Sequence, residues 1–160
     1  MARKALFISV ADLKKRSLID GNVDSSKITQ YIEVAQDVHI QNYLGGKLYK
    51  SMQQLIISGD ILLAENADYK LLLDDFIKPM LIWYSQATLM PYISFSVNNG
   101  GVQKRTSETS DAATKEELSY LTQEMNSTAE FYTKRFLDYM CLNNVKYPEY
   151  SQNTSEDMYP

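Results

Sequence analysis

A chain of 160 residues with 44% hydrophobic and 22% charged side chains is of one-domain length and carries enough apolar mass for a modest core, which excludes wholesale disorder. Its formal charge of -4, from sixteen Lys plus Arg against twenty Asp plus Glu, speaks against a binder whose affinity rests on neutralising phosphates, though not against a protein that surrounds DNA without holding it. Cys141 is the one cysteine, so there is no intrachain disulfide framework and no thiolate zinc cluster, and reducing surroundings are the simplest inference.

The start of the chain holds no secretory signal, because the apolar stretch from Leu6 to Val10 is short and runs into Asp12, Lys14, Lys15 and Arg16. Ser9 followed by Asp12 predicts a capping box for a short helix to about Arg16, and Asp20-Gly21-Asn22 is a turn signal. A second helix opens near Asp24 or Ser25, carries Ile28, Tyr31, Ile32, Ala35, Val38 and His39 on its inner side, and stops at Gly45-Gly46. That glycine pair suits a left-handed helix end or a tight helix-to-helix corner. Leu48, Met52, Leu55 and Ile56 mark a third helix with a narrow apolar face, ending before Ser58-Gly59-Asp60.

Asn66 to Met90 is the longest apolar-periodic segment and the candidate spine of the core. Tyr69, Leu72, Leu73, Phe76, Ile77, Met80, Leu81, Tyr84 and Thr88 share one face, and Leu71, Trp83, Ala87 and Leu89 widen it, which predicts packing on two or more sides. Asp74, Asp75 and Lys78 interrupt any run of the ~20 apolar residues that a bilayer crossing needs. Pro79 predicts a kink within this helix and Pro91 its end. Tyr92 to Val97, Asn98 to Gly101 and Val102 to Thr106 then give the signal of a short hairpin, and an isolated hairpin needs support from helices or another subunit.

A loop over Thr106 to Ala113 leads to Thr114-Lys115-Glu116-Glu117, a capping box for a long amphipathic helix to about Leu142. Its apolar face is marked by Leu118, Leu121, Met125, Ala129, Tyr132, Phe136 and Tyr139. From Asn143 the apolar content falls, which predicts a tail that orders only on a partner, through Tyr147, Pro148, Tyr150, Met158 and Tyr159. The predicted fold class is therefore mainly α: an antiparallel helical bundle over 1–145 with a hairpin near 92–106, and an extended tail over 146–160.

No chemical constellation emerges. His39, the single histidine, reads as a packed helix residue, and Gly45-Gly46-Lys47 lacks the spacing that cradles phosphates. Adjacent Asp74 and Asp75 point about 100° apart, and Asp60, Glu65 and Asp68 match no calcium loop. Cys141 beside Met140 and Leu142 reads as a small hydrophobe. Asn126-Ser127-Thr128 and Asn153-Thr154-Ser155 match a glycosylation pattern that has meaning only on export. The expectation is no enzyme, no cofactor and no metal.

Several stretches together carry a resemblance: Asp12-Leu-Lys-Lys-Arg-Ser-Leu-Ile-Asp-Gly-Asn22, Tyr31-Ile-Glu-Val-Ala-Gln-Asp-Val-His-Ile-Gln41 and Leu44-Gly-Gly-Lys-Leu-Tyr49, then Phe95 to Thr106, Ala129 to Tyr132, Tyr139 to Asn144 and Tyr147 to Tyr150. With these motifs the chain resembles the head-to-tail connector, or head completion, proteins of tailed bacteriophages, and most of all the ring proteins of crAss-like phages. Gly46 departs from the small polar residue expected after Gly45.

The resemblance implies a structural virion protein assembled in the host cytoplasm and placed at the portal-tail junction. It implies a twelvefold homo-oligomeric ring that contacts the portal and the adjacent neck or tail protein, while double-stranded DNA passes through unread. The alternatives are a tail completion or tail-terminator protein, or a soluble helical peptide-binding adaptor. For the ring, the candidate lateral interface is Tyr92, Phe95, Val97, Asn98, Asn99, Gly100, Gly101 and Val102, and the tail is the candidate portal clasp. Lys14, Lys15, Arg16, Lys104 and Arg105 are the compact basic groups that would face a channel, against the ordinary reading of solvated or paired charges.

Overall fold

Two helices set the architecture, and both follow from apolar spacing that the chain cannot leave in water. In the computed structural model, which describes residues 4–19, 23–93, 95–98, 101–104 and 113–153, with the backbone alone for 95–98 and 101–104, these are Lys78–Ile93 (α6) and Lys115–Asn143 (α7). Helix α6 buries Met80, Leu81, Ile82, Tyr84, Ser85, Gln86, Ala87 and Leu89, residues on every side of the cylinder. Helix α7 buries one stripe, Met125, Ala129, Thr133, Phe136 and Met140, at spacings of three and four. They run antiparallel: Phe76, just before α6, stacks on Tyr139 at 4.2 Å, the Tyr84 hydroxyl meets Thr133 Oγ1 at 3.1 Å, and Pro91 lies by Leu118.

The other helices cover the remaining sides of α6. Val10–Lys15 (α1) starts from Ser9, whose hydroxyl accepts from the Asp12 N–H while Asp12 accepts from the Ser9 N–H. Ser25–Ala35 (α2), capped by Asp24, continues through a π-helical turn at Gln36–Ile40 into Gln41–Leu44 (α3). Gly45, at φ 75°, turns the corner into Gly46–Ser58 (α4), which ends at Gly59 with φ 82°. Two 3-10 turns, Asp60–Leu62 and Ala64–Asn66, lead to Ala67–Leu71 (α5). The core joins Phe7, Ile8, Leu13, Ile28, Ile32, Leu44, Leu48, Met52, Leu72, Ile77, Met80 and Phe136.

The central helix continues through Pro79 and departs from expectation at Pro91. The chain is helical from Ala67 to Ile93, with a π-helical turn at Leu72–Ile77 in which the Lys78 N–H donates to the Leu73 carbonyl, five residues back. This wider turn shifts the ladder just where Pro79 lacks a donor, so the helix continues. Pro91 lies inside α6 and does not end it. The second π turn has a parallel effect on Val38: the extra residue advances the phase, leaving Val38 58% exposed and burying Gln36 and Ile40 in its place.

The fold class is corrected to a mainly helical bundle with a long last helix. A hairpin with arms beginning at Tyr92 does not exist, because Tyr92 and Ile93 are the last residues of α6. Beyond α6 the chain forms only a backbone ladder of four residues a side, Phe95–Asn98 (β1) against Gly101–Lys104 (β2), with Val97 opposite Val102; it adds no β layer to the bundle. The extended tail is overturned as well over its described residues, 146–153. Asn144–Lys146 is a 3-10 turn and Pro148–Ser151 (α8) a helical turn, because Tyr147 between them is wholly buried and pulls the chain back onto α5 and α7.

Candidate functional site

Helix α7 is 29 residues long, about 43 Å at 1.5 Å per residue, yet every residue it buries lies from Met125 onward. Its first ten residues, 115–124, are held by the Thr114–Glu117 capping box and none of them is fully buried among the described residues: Leu118 and Leu121 are half-buried and Tyr120 is exposed. Tyr120 is 66% exposed. Between this overhang and Pro91 lies a groove of about 770 Å³, lined by Leu118 and Pro91 with Ser119, Thr122, Asn126 and Ser127 around them. Tyr92, 59% exposed, stacks on Tyr31 at 5.0 Å at the same end of α6.

A second recess of about 490 Å³ lies where α1, the π turn of the central helix and α7 meet. Its wall brings Arg16 and Arg135 together with Asp12, Asp74 and Asp75. The Arg135 guanidinium sits 5.7 Å above both Phe76 and Tyr132. Asp74 is bonded by Lys70 and Lys78, and these hydrogen bonds and charges outweigh its burial to hold its carboxyl below the usual range.

The described basic candidates lie at α1 and on β2, and the described hairpin candidates pair across β1 and β2. Of the basic groups, Lys14 donates to the Val23 carbonyl at 3.1 Å, Lys15 is exposed, and Arg16 faces Asp12, Asp74 and Asp75. Lys104 belongs to β2, and Arg105 lies outside the described residues. Of the interface candidates, Phe95, Val97 and Asn98 lie on β1 and Gly101 and Val102 on β2, whereas Asn99 and Gly100 lie outside the described residues.

The tail residues expected to meet a partner are used within the chain. Tyr147 donates to the Asp68 carbonyl at 2.9 Å, meets the Tyr139 hydroxyl at 3.0 Å and lies edge-on to Tyr69. Burial first, then the Tyr139 contact, pushes its hydroxyl far above the ordinary range, so it works as a neutral donor. Tyr150 lies edge-on to Phe136, Pro148 opens α8, and Met158 and Tyr159 lie outside the described residues. Tyr69 donates to Glu149 at 2.9 Å, with burial the main reason its own hydroxyl is pushed up to about 12.

His39 stacks on Tyr84 with ring centres 3.9 Å apart and planes 6° from parallel, and burial lowers its pKa from 6.5. Cys141, read from sequence as a small hydrophobe, is exposed. Among the described residues no group of three or more His, Cys, Asp or Glu is placed to hold a metal, and no helix is long and apolar enough to cross a membrane. Sequence reasoning missed Gln36, Gln53 and Asn153, which bind main-chain groups of distant segments. Gln36 was findable, because it falls on the inner face that Ile28, Ile32 and Ala35 define, where an amide must be satisfied.

A mainly helical bundle with an overhanging last helix is the class that this geometry defines. The chain belongs to the family described as "Family of unknown function (DUF6712)", whose model matches residues 40–158, well over half of its length. No curated protein matches it. No solved structure does either.

Proposed function

We propose that this chain is a structural subunit of the head-to-tail connector of a tailed bacteriophage, assembling into a twelvefold ring that continues the DNA channel from the portal to the tail or the next neck ring. The observation that carries the reading is the overhang of α7, ten residues none of which is fully buried among the described residues despite Leu118, Tyr120 and Leu121. A closed monomer gains nothing from three turns of amphipathic helix in water, because short helices without a packed face are marginal. A ring subunit needs two different patches on opposite flanks, since a closed ring repeats one heterologous contact around its axis. The resemblance in sequence supports the same reading.

The ring surrounds DNA without binding it strongly. The net charge of -4 and the bond of Lys14 to the Val23 carbonyl fit a channel that lets DNA slide. The groove between Pro91 and α7 favours one rival, a helical adaptor that takes a peptide. Electron microscopy of the purified chain separates them: annular particles with a central hole support the connector, and single compact molecules at all concentrations support the adaptor.

A further inference from the structure

The first described residues, 4–8, have no regular secondary structure, and α2, its π turn and α4 hold them in the manner of a bound peptide. The Ala5 N–H donates to Gln53 Oε1 at 2.6 Å, and the Ala5 carbonyl accepts from Gln53 Nε2 and from Gln36 Nε2, both at 2.9 Å. The Phe7 N–H donates to Gln36 Oε1 at 2.8 Å. Two side-chain amides thus satisfy three main-chain groups of the arm, a recognition that reads backbone and leaves side chains to choose the pockets. Phe7 and Ile8 fill those pockets, both 2% exposed, with Phe7 against Tyr49 at 5.4 Å. Lys4 pairs with Glu33 and Asp37 at the groove's mouth.

The receptor side is braced without the arm. Gln36 Nε2 also donates to the Tyr49 hydroxyl at 3.0 Å, and that hydroxyl donates to Asp37 at 3.1 Å. With the arm in place Gln36 is 0% exposed and Gln53 8%, so the arm both covers the two amides and completes their hydrogen bonding. On the donor side, the arm carries its own anchors in Phe7 and Ile8 and leads into α1, whose Leu13 is buried in the core.

We propose that this arm is exchanged between copies: in the assembled protein, residues 4–8 of one subunit occupy the Gln36–Gln53 groove of its neighbour. The occupant is a second copy of this chain, and the inference deepens the ring reading by naming one of its contacts. Exchange remakes between chains every contact seen within one, so it adds cohesion without a new complementary surface. It also runs in one direction, from donor arm to acceptor groove, as a heterologous contact must. The basic Lys4 against Glu33 and Asp37 fixes that polarity.

The test uses two single-cysteine chains made in the same cells, each with Cys141→Ser and distinguished by mass. One carries Lys4→Cys and the other Glu33→Cys, both at partly exposed side chains whose loss leaves the core intact. A short bis-maleimide added to the assembled protein joins the two chains only if an arm lies in another copy's groove. Covalent heterodimers on a denaturing gel are expected, and their absence overturns exchange. A third chain with both cysteines checks the reach of the linker: a product linked solely within single chains likewise overturns the proposal. The mass of the uncrosslinked sample tells this failure from failure of the ring, since intact rings with no heterodimers leave the connector reading in place.

Discussion

The side-chain amide of Asn153 occupies the space that a β-carbon on Gly45 would need, with its Nδ2 2.0 Å from that position. From there Asn153 donates to the carbonyls of Leu44 and Tyr150, at 2.9 and 3.1 Å, and accepts from the Lys47 N–H at 3.0 Å. One residue near the end of the chain thereby satisfies the last turn of α3 and the first turn of α4 together, across a corner that offers no side-chain cap of its own.

Gly45→Ala should therefore destabilise twice over, by placing a β-carbon at φ 75° and by expelling Asn153. The expected loss is about 2–4 kcal/mol, from left-handed strain plus lost hydrogen bonds. Asn153→Ala alone should cost about 1–2 kcal/mol. Because both act on one contact, the double variant should fall short of the sum by about 0.5 kcal/mol or more in urea unfolding.

Tyr147 anchors the last segment, wholly buried and bonded to Asp68 and Tyr139. Tyr147→Ala should cost about 3–5 kcal/mol as a buried aromatic lost from the core. Tyr147→Phe isolates the hydroxyl, which bonds Asp68 and Tyr139, and should cost about 1–2 kcal/mol. Equal midpoints for Tyr147→Ala and the parent chain would contradict the burial described.

Gln86 gives a prediction of opposite sign. It is 0% exposed, and neither its Nε2 nor its Oε1 has a partner among the described residues. Gln86→Met keeps the volume and removes an unsatisfied amide, so it should raise stability by about 1 kcal/mol, read as a higher denaturant midpoint at unchanged slope.

His39 sets a pH window. Its folded pKa lies below the ordinary 6.5 because burial opposes the charged ring, so the unfolded chain binds the proton more readily. The stability from keeping it neutral is fully present above 6.5 and is lost as pH falls from there through the lowered folded value. Asp12 and Asp74, both lowered from 3.8, lose their contribution in a separate and more acidic range. His39→Phe preserves the stack on Tyr84 and should abolish the dependence near pH 6, measured by thermal unfolding across pH.

Periodicity made the helices legible, while the departures came from effects that no local pattern encodes. The capping boxes at Ser9–Asp12 and Thr114–Glu117 and the corner at Gly45 could be read because each acts within a few residues. The two π turns could not, and they account for the exposure of Val38 and the passage of the helix through Pro79. The last segment reads as a tail in sequence because its anchors are few and distant: Tyr147 on Asp68, Glu149 on Tyr69 and Asn153 on Leu44. Of the candidate interface, the overhang was hidden because an amphipathic pattern marks a face to be buried without saying by which molecule.

Charge on that overhang separates assembly from folding. Tyr120→Asp should change unfolding stability by less than about 0.5 kcal/mol, since its side chain is 66% exposed. The same substitution should lower the assembled fraction at least tenfold in sedimentation, and undiminished assembly would remove this face of α7 from the interface.

The most direct test of the central claim is the mass of the purified parent chain by light scattering over a hundredfold range of concentration. Twelve copies of an 18.3 kDa chain give about 220 kDa, and the connector reading predicts a species of that size at the upper end of the range. A constant mass near 18.3 kDa throughout would contradict it.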